Sequence, residues 1–127
     1  MYLALDTQLD RPVALKILPA EIARDQQRLH RFLQESRAAA ALSHPNIAHI
    51  YEIGEADGRH YITMEYVRGR TLRKLLQQKD LTAEKAIEIA IDVANALAAA
   101  HRAGVIHRDI KPENIVIADD GYSKVLD

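Results

Sequence analysis

At 127 residues the chain suits one domain rather than two independent cores, and its 48% apolar and 28% charged residues are those of a globular protein, not a disordered one. Seventeen Lys and Arg against eighteen Asp and Glu leave a net charge of −1, which offers no broad field for nucleic acid or an anionic membrane. Cysteine is absent, which excludes disulfides and thiolate metal sites.

No apolar run approaches the length of a membrane span, and residues 1–11 lack the basic-then-apolar layout of a signal peptide. The chain therefore reads as soluble and cytoplasmic. Tyr2 to Leu5 and Pro12 to Leu18 are strand-like, with Pro tolerated at a strand start. From Glu21 to Leu42 the apolar spacing of Ile22, Leu29, Phe32 and Leu33, followed by an alanine run, predicts one helix with no Gly or Pro inside it. His44-Pro45-Asn46 ends that pattern.

Two further strands are predicted at Ile47 to Ile53 and Tyr61 to Val67, joined by a hairpin loop at Gly54 to Gly58. Arg68-Gly69-Arg70 reads as a connector, followed by helices at Thr71 to Gln78 and Thr82 to His101. In the second of these, Ile87, Ile91, Ala94, Leu97, Ala98 and His101 recur at helical spacing, and Gly104 suits a left-handed cap. The remainder reads as a loop, a short strand Ile115 to Ile117, a turn at Asp119 to Gly121, and a strand Tyr122 to Leu126. Strands dominate up to residue 67 and helices from residue 68.

The segment richest in chemistry is His107-Arg108-Asp109-Ile110-Lys111-Pro112-Glu113-Asn114. A carboxylate, an ammonium and an amide so closely spaced could be a charged surface loop. They are also the groups that phosphoryl transfer uses: a base for a hydroxyl proton, a cation for phosphoryl charge, and a hard oxygen for a metal ion. The segment resembles the catalytic loop of protein kinases, and Lys111 two residues after Asp109 is the form seen in serine/threonine kinases of the bacterial type.

Three other segments join this resemblance. In Val13-Ala14-Leu15-Lys16 a lysine lies in an apolar strand, where an unpaired ammonium is costly. From the residues alone Lys16 could snorkel from an edge strand and Glu35 sit on a solvated face. The resemblance implies instead that Lys16 contacts nucleotide phosphates and pairs with Glu35. Tyr61 to Gly69 is similar to the strand and hinge between kinase lobes. There Met64 would guard the back of the adenine pocket, the backbones of Glu65 and Val67 would meet the adenine edge, and Ala14 and Val116 would sandwich the ring. Lys124-Val125-Leu126-Asp127 resembles the strand leading into the metal-binding Asp of the family, so Asp127 joins Asn114 as an expected metal ligand.

The resemblance covers the whole chain. It implies an α+β, two-lobed protein-kinase-like fold in part: an incomplete small lobe over 1–67 and the start of the large lobe over 68–127. The cofactors implied are ATP and Mg²⁺, and the partner is a protein bearing a Ser or Thr hydroxyl, with no nucleic acid and no membrane segment. The catalytic set is Asp109, Lys111 and Asn114. The glycine-rich loop and the activation segment of the family are not among the 127 residues, so little turnover is expected of this stretch alone. Two alternatives are a non-catalytic kinase-like regulatory module and a kinase of small molecules. Lys16, Asp109 and Asp127 together favour a catalytic chain over the first, and the Lys-Pro-Glu-Asn run favours a protein substrate over the second. The six histidines show no metal-ligand spacing.

Overall fold

The structure is a computed structural model that describes residues 1–126. The chain divides into two compact units. The first comprises Met1–Ala41 with His49–Tyr66, and the second comprises Leu42–Ala48 with the residues from Val67 onward.

The first unit is a four-stranded antiparallel sheet with two helices. Strands β1 (Tyr2–Asp6), β2 (Arg11–Ile17), β3 (Ile50–Ala56) and β4 (Arg59–Glu65) lie in the order β1-β2-β4-β3. Alternation in β4 buries Ile62 and Met64, and Met64 pairs in register with Ala14 of β2. These three residues form a core against which Phe32, Ile50 and Ile53 pack. Asp57 and Gly58 close the β3–β4 hairpin with φ of 52° and 73°, the left-handed pair a two-residue turn needs.

The predicted helix over 21–42 is two helices, α1 (Ala20–Arg24) and α2 (Gln26–Ala40). Asp25 divides them: it adopts an extended conformation and its carboxylate accepts from the amides of Gln27 and Arg28 at 3.1 and 3.3 Å. A capping carboxylate can end one helix and start another without Gly or Pro. The strand predicted to begin at Ile47 starts at Ile50. Ile47 instead makes an isolated parallel bridge with Val125 in the second unit.

In the second unit β5 (Gly69–Thr71), β6 (Ile115–Ala118) and β7 (Ser123–Val125) form an antiparallel sheet in that order. Gly69, expected in a connector, belongs to β5. A Cβ there would overlap the Ile117 carbonyl, so only glycine permits this strand approach. Helix α3 (Leu72–Gln77) begins at Thr71, whose hydroxyl accepts from Lys74 N at 3.1 Å. Helix α4 (Ala83–Arg102) begins at Thr82, which caps Lys85 N at the same distance.

Helix α4 buries Ile89, Ala96 and Ala100, while Ile87 and Ile91 of the predicted apolar stripe are 62% and 55% exposed. Ala94 and Ala98 on that stripe are exposed as well. Among the described residues no helix is long and apolar enough to cross a membrane.

Candidate active site

The loop from His107 to Asn114 is held by its own polar groups. Arg108 has φ of 67°, a left-handed conformation uncommon for a residue with a side chain. The fold must hold it there, and doing so sets the direction of Asp109. The Asp109 amide donates to His107 Nδ1 at 3.1 Å, so that nitrogen carries no proton. The proton sits on Nε2, which donates to the Leu126 carbonyl at 2.7 Å. His107 thus supports the loop as a neutral imidazole bridging two backbone groups.

Pro112–Asn114 form a single 3₁₀ turn, with Asn114 N donating to Lys111 O at 2.9 Å. Asn114 Nδ2 donates to both the carbonyl and the carboxylate Oδ2 of Asp109, at 3.0 and 3.2 Å. Those bonds assign the amide orientation and leave Oδ1 as the Asn114 atom suited to a cation. Lys111 Nζ lies 3.2 Å from the same Asp109 oxygen. The hydrogen bond from Lys111 is the main reason the Asp109 carboxyl sits below its ordinary pKa; the Lys111 charge and the Asn114 hydrogen bond act in the same direction. The structure thus brings Asp109, Lys111 and Asn114 together.

Leu126 is pinned on both sides of its peptide, its N–H to the Asn114 carbonyl at 2.8 Å and its carbonyl to His107. Leu126, next after β7, is therefore tied to the loop at two points. Asp127 itself lies outside the described residues. Among those described, no group of three or more His, Cys, Asp or Glu could hold a metal ion. Asn114 Oδ1 suits a hard cation that keeps much of its water, as Mg²⁺ does.

The remaining expected residues are distributed by unit. In the first, Ala14 and Met64 are buried, Lys16 is half-buried in β2, and Glu35 is exposed on α2. Glu65 N donates to the His49 carbonyl at 2.7 Å, and its carboxylate accepts from His49 N at 3.2 Å. In the second, Val116 is buried in β6 opposite Thr71 and Lys124, and Val67 is half-buried.

Several supporting residues were not singled out from sequence. Arg73 of α3 grips Glu113 through Nε at 2.7 Å and Nη2 at 2.6 Å, which holds the Glu113 carboxyl below its usual range. Asn46 is buried and donates from Nδ2 to Ser123 O at 2.9 Å, while its backbone carbonyl accepts from Val125 N at 2.8 Å. A buried Asn side chain needs such a partner, but Ser123, 77 residues away, leaves no local signal.

The model of the protein kinase domain matches residues 1–127. The chain is 46% identical to the serine/threonine-protein kinase PknL of Mycobacterium tuberculosis, covering all of this chain and 32% of that protein. It is 44% identical to the serine/threonine-protein kinase PrkC of Bacillus subtilis, again over its whole length but only 20% of the relative. A solved structure titled PpkA-294 apo form superposes with a TM-score of 0.85 at 29% identity, over 99% of this chain and 52% of that one. The chain thus spans between a fifth and a third of these two curated relatives. The family match runs over all 127 residues and the fold match over 99% of them, and this chain belongs to the protein kinase domain family.

Proposed function

We propose that this chain contributes the nucleotide-holding strands and the catalytic loop of a serine/threonine protein kinase, which moves the γ-phosphoryl group of ATP to a Ser or Thr hydroxyl of a protein. The observation that carries this reading is the loop itself: an exposed carboxylate held ionised by Lys111 and braced by Asn114. An ionised carboxylate reachable by an arriving hydroxyl can accept its proton; a neutral one could not.

Asp109 orients the substrate hydroxyl and takes its proton. The hydroxyl oxygen bonds to the γ-phosphorus as the bond from that phosphorus to the β–γ bridging oxygen breaks, and ADP leaves with that electron pair. Lys111 lies near Asp109 and offsets charge on the phosphoryl group in flight. Asn114 Oδ1 and, by resemblance, Asp127 would hold Mg²⁺, which when bound neutralises charge on the phosphate oxygens. Lys16, steadied by Glu35, would contact the phosphates. Ala14 and Val116 would cover the adenine faces, Met64 its back, and the backbones of Glu65 and Val67 its edge. In this reading residues 1–67 are small-lobe and 68–127 large-lobe sequence, and the location is cytoplasmic, where ATP is supplied.

The test is phosphorylation of a generic basic protein by the full-length protein with labelled ATP and Mg²⁺, beside an Asp109→Asn variant. Loss of a positioned base costs about 10²–10⁴ in rate, and a drop of that size is expected. Equal incorporation by the two proteins would overturn the reading.

A further inference from the structure

Two charged residues of helix α4 that the reaction above does not use, Lys85 and Asp92, meet the backbone of the β6–β7 hairpin. Lys85 Nζ donates to the Gly121 carbonyl at 2.8 Å. Two turns along the same face, Asp92 Oδ2 accepts from the Ser123 amide at 2.9 Å. Ile89, buried between them, packs the helix at this face. A cation on a carbonyl and a carboxylate on an amide two residues later fix both the height and the direction of the strand that follows.

Ser123 is 1% exposed, so its backbone groups have no recourse to water. Its carbonyl is satisfied by Asn46 and its amide by Asp92. From Ser123 the ladder runs directly to the catalytic loop: Ser123 and Val125 pair with Ile117 and Ile115, and Leu126 bonds Asn114 and His107. Ile115 follows Asn114 in sequence. A slip of β7 would therefore move Asn114 and His107 together, and with them the two groups that brace Asp109.

We propose that Asp92 is a positioning residue for phosphoryl transfer, acting through the Ser123 amide to hold β7 and, through it, the His107–Asn114 loop. This rests on the kinase reading above. Asp92 acts as a hydrogen-bond acceptor, so an amide in its place serves the same end; an apolar side chain does not. Displacements of about 1 Å at a remote support can cost up to about 10²-fold in rate without changing substrate affinity, because the chemical step depends on alignment.

The experiment compares full-length wild type, Asp92→Ala, Asp92→Asn, Lys85→Met and Asp109→Asn. Amide hydrogen exchange at Ser123, Val125 and Leu126 is followed alongside kcat and the KM for ATP. In Asp92→Ala exchange at Ser123 should accelerate about tenfold to a hundredfold, the worth of a hydrogen bond to a charged group. Its kcat should fall about tenfold or more with KM for ATP within about twofold, and Asp92→Asn should restore both. Lys85→Met, which keeps the carboxylate, should show a smaller loss in the same direction, and serves if Asp92→Ala does not fold. Asp92→Ala with unchanged kcat, Asn no better than Ala, or Lys85→Met with wild-type exchange and kcat would each overturn the role. Wild type no faster than Asp109→Asn would instead overturn the kinase reading, and the role with it.

Discussion

Asp109 is 60% exposed on its side chain and Lys111 49%, so contacts rather than burial set the ionisation of the carboxyl. The Lys111 hydrogen bond favours the charged form and lowers the pKa. A depressed carboxylate keeps its charge above its ordinary pKa and loses it only as pH falls through the lower, folded value. The acid limb that Asp109 contributes to the rate of the full-length protein should accordingly lie below the ordinary carboxylate range. Lys111→Met should move that limb upward, toward the ordinary value, as well as lowering the plateau. The position of the limb in a pH–rate profile is the readout; a limb that stays put in Lys111→Met would disprove the pairing. That Asp109, Lys111 and Asn114 come together was legible because all three lie in one eight-residue segment, His107 to Asn114. What was not legible is how they are held. The neutral His107 tautomer depends on a carbonyl 19 residues downstream, and the Arg73 grip on Glu113 spans 40 residues. No spacing rule reports contacts of that range.

Most secondary-structure elements were legible in kind and order, although β5 read as a connector, and the helix over 21–42 shows what periodicity leaves out. Helical periodicity shows where a helix can run, but a side chain that competes for backbone amides decides where it starts. Asp25 does so between α1 and α2, and the continuous reading over 21–42 passed through it because Asp is a weaker breaker than Gly or Pro. Asp25→Ala should cost about 1 kcal/mol, the usual worth of an N-cap, seen as a lowered denaturation midpoint with local exchange rising at Gln27 and Arg28. An unchanged midpoint would mean that packing of Phe32 and its neighbours, not the cap, sets the start of α2. On α4 the periodic residues chosen from sequence include an exposed set, Ile87, Ile91, Ala94 and Ala98, because the helix is apolar around much of its circumference. Its inner face is Ile89, Ala96 and Ala100, marked by small residues that let α4 approach its neighbours closely.

Over the whole molecule, the near-zero net charge means that phosphate must be recognised by a few placed groups rather than by a general field. Placement is also what the 127 residues taken by themselves supply incompletely. Phosphoryl transfer draws most of its rate from positioning and electrostatics, and neither the family's phosphate-covering glycine loop nor its activation segment is among these 127 residues. Each unit exposes large apolar side chains of the kind that drive association, Leu3 and Leu5 on β1 in the first and Ile87 and Ile91 on α4 in the second. The 127-residue polypeptide alone should therefore show little or no phosphorylation of a basic protein with labelled ATP and Mg²⁺, and should self-associate on concentration. The full-length protein, assayed in parallel, supplies the reference rate, and Asp109→Asn supplies the background in both. Turnover by the short polypeptide that approaches the full-length rate and vanishes in Asp109→Asn would show that the strands around Lys16 and the loop around Asp109 suffice. Incorporation equal in wild type and Asp109→Asn would be background, and the expected result would stand.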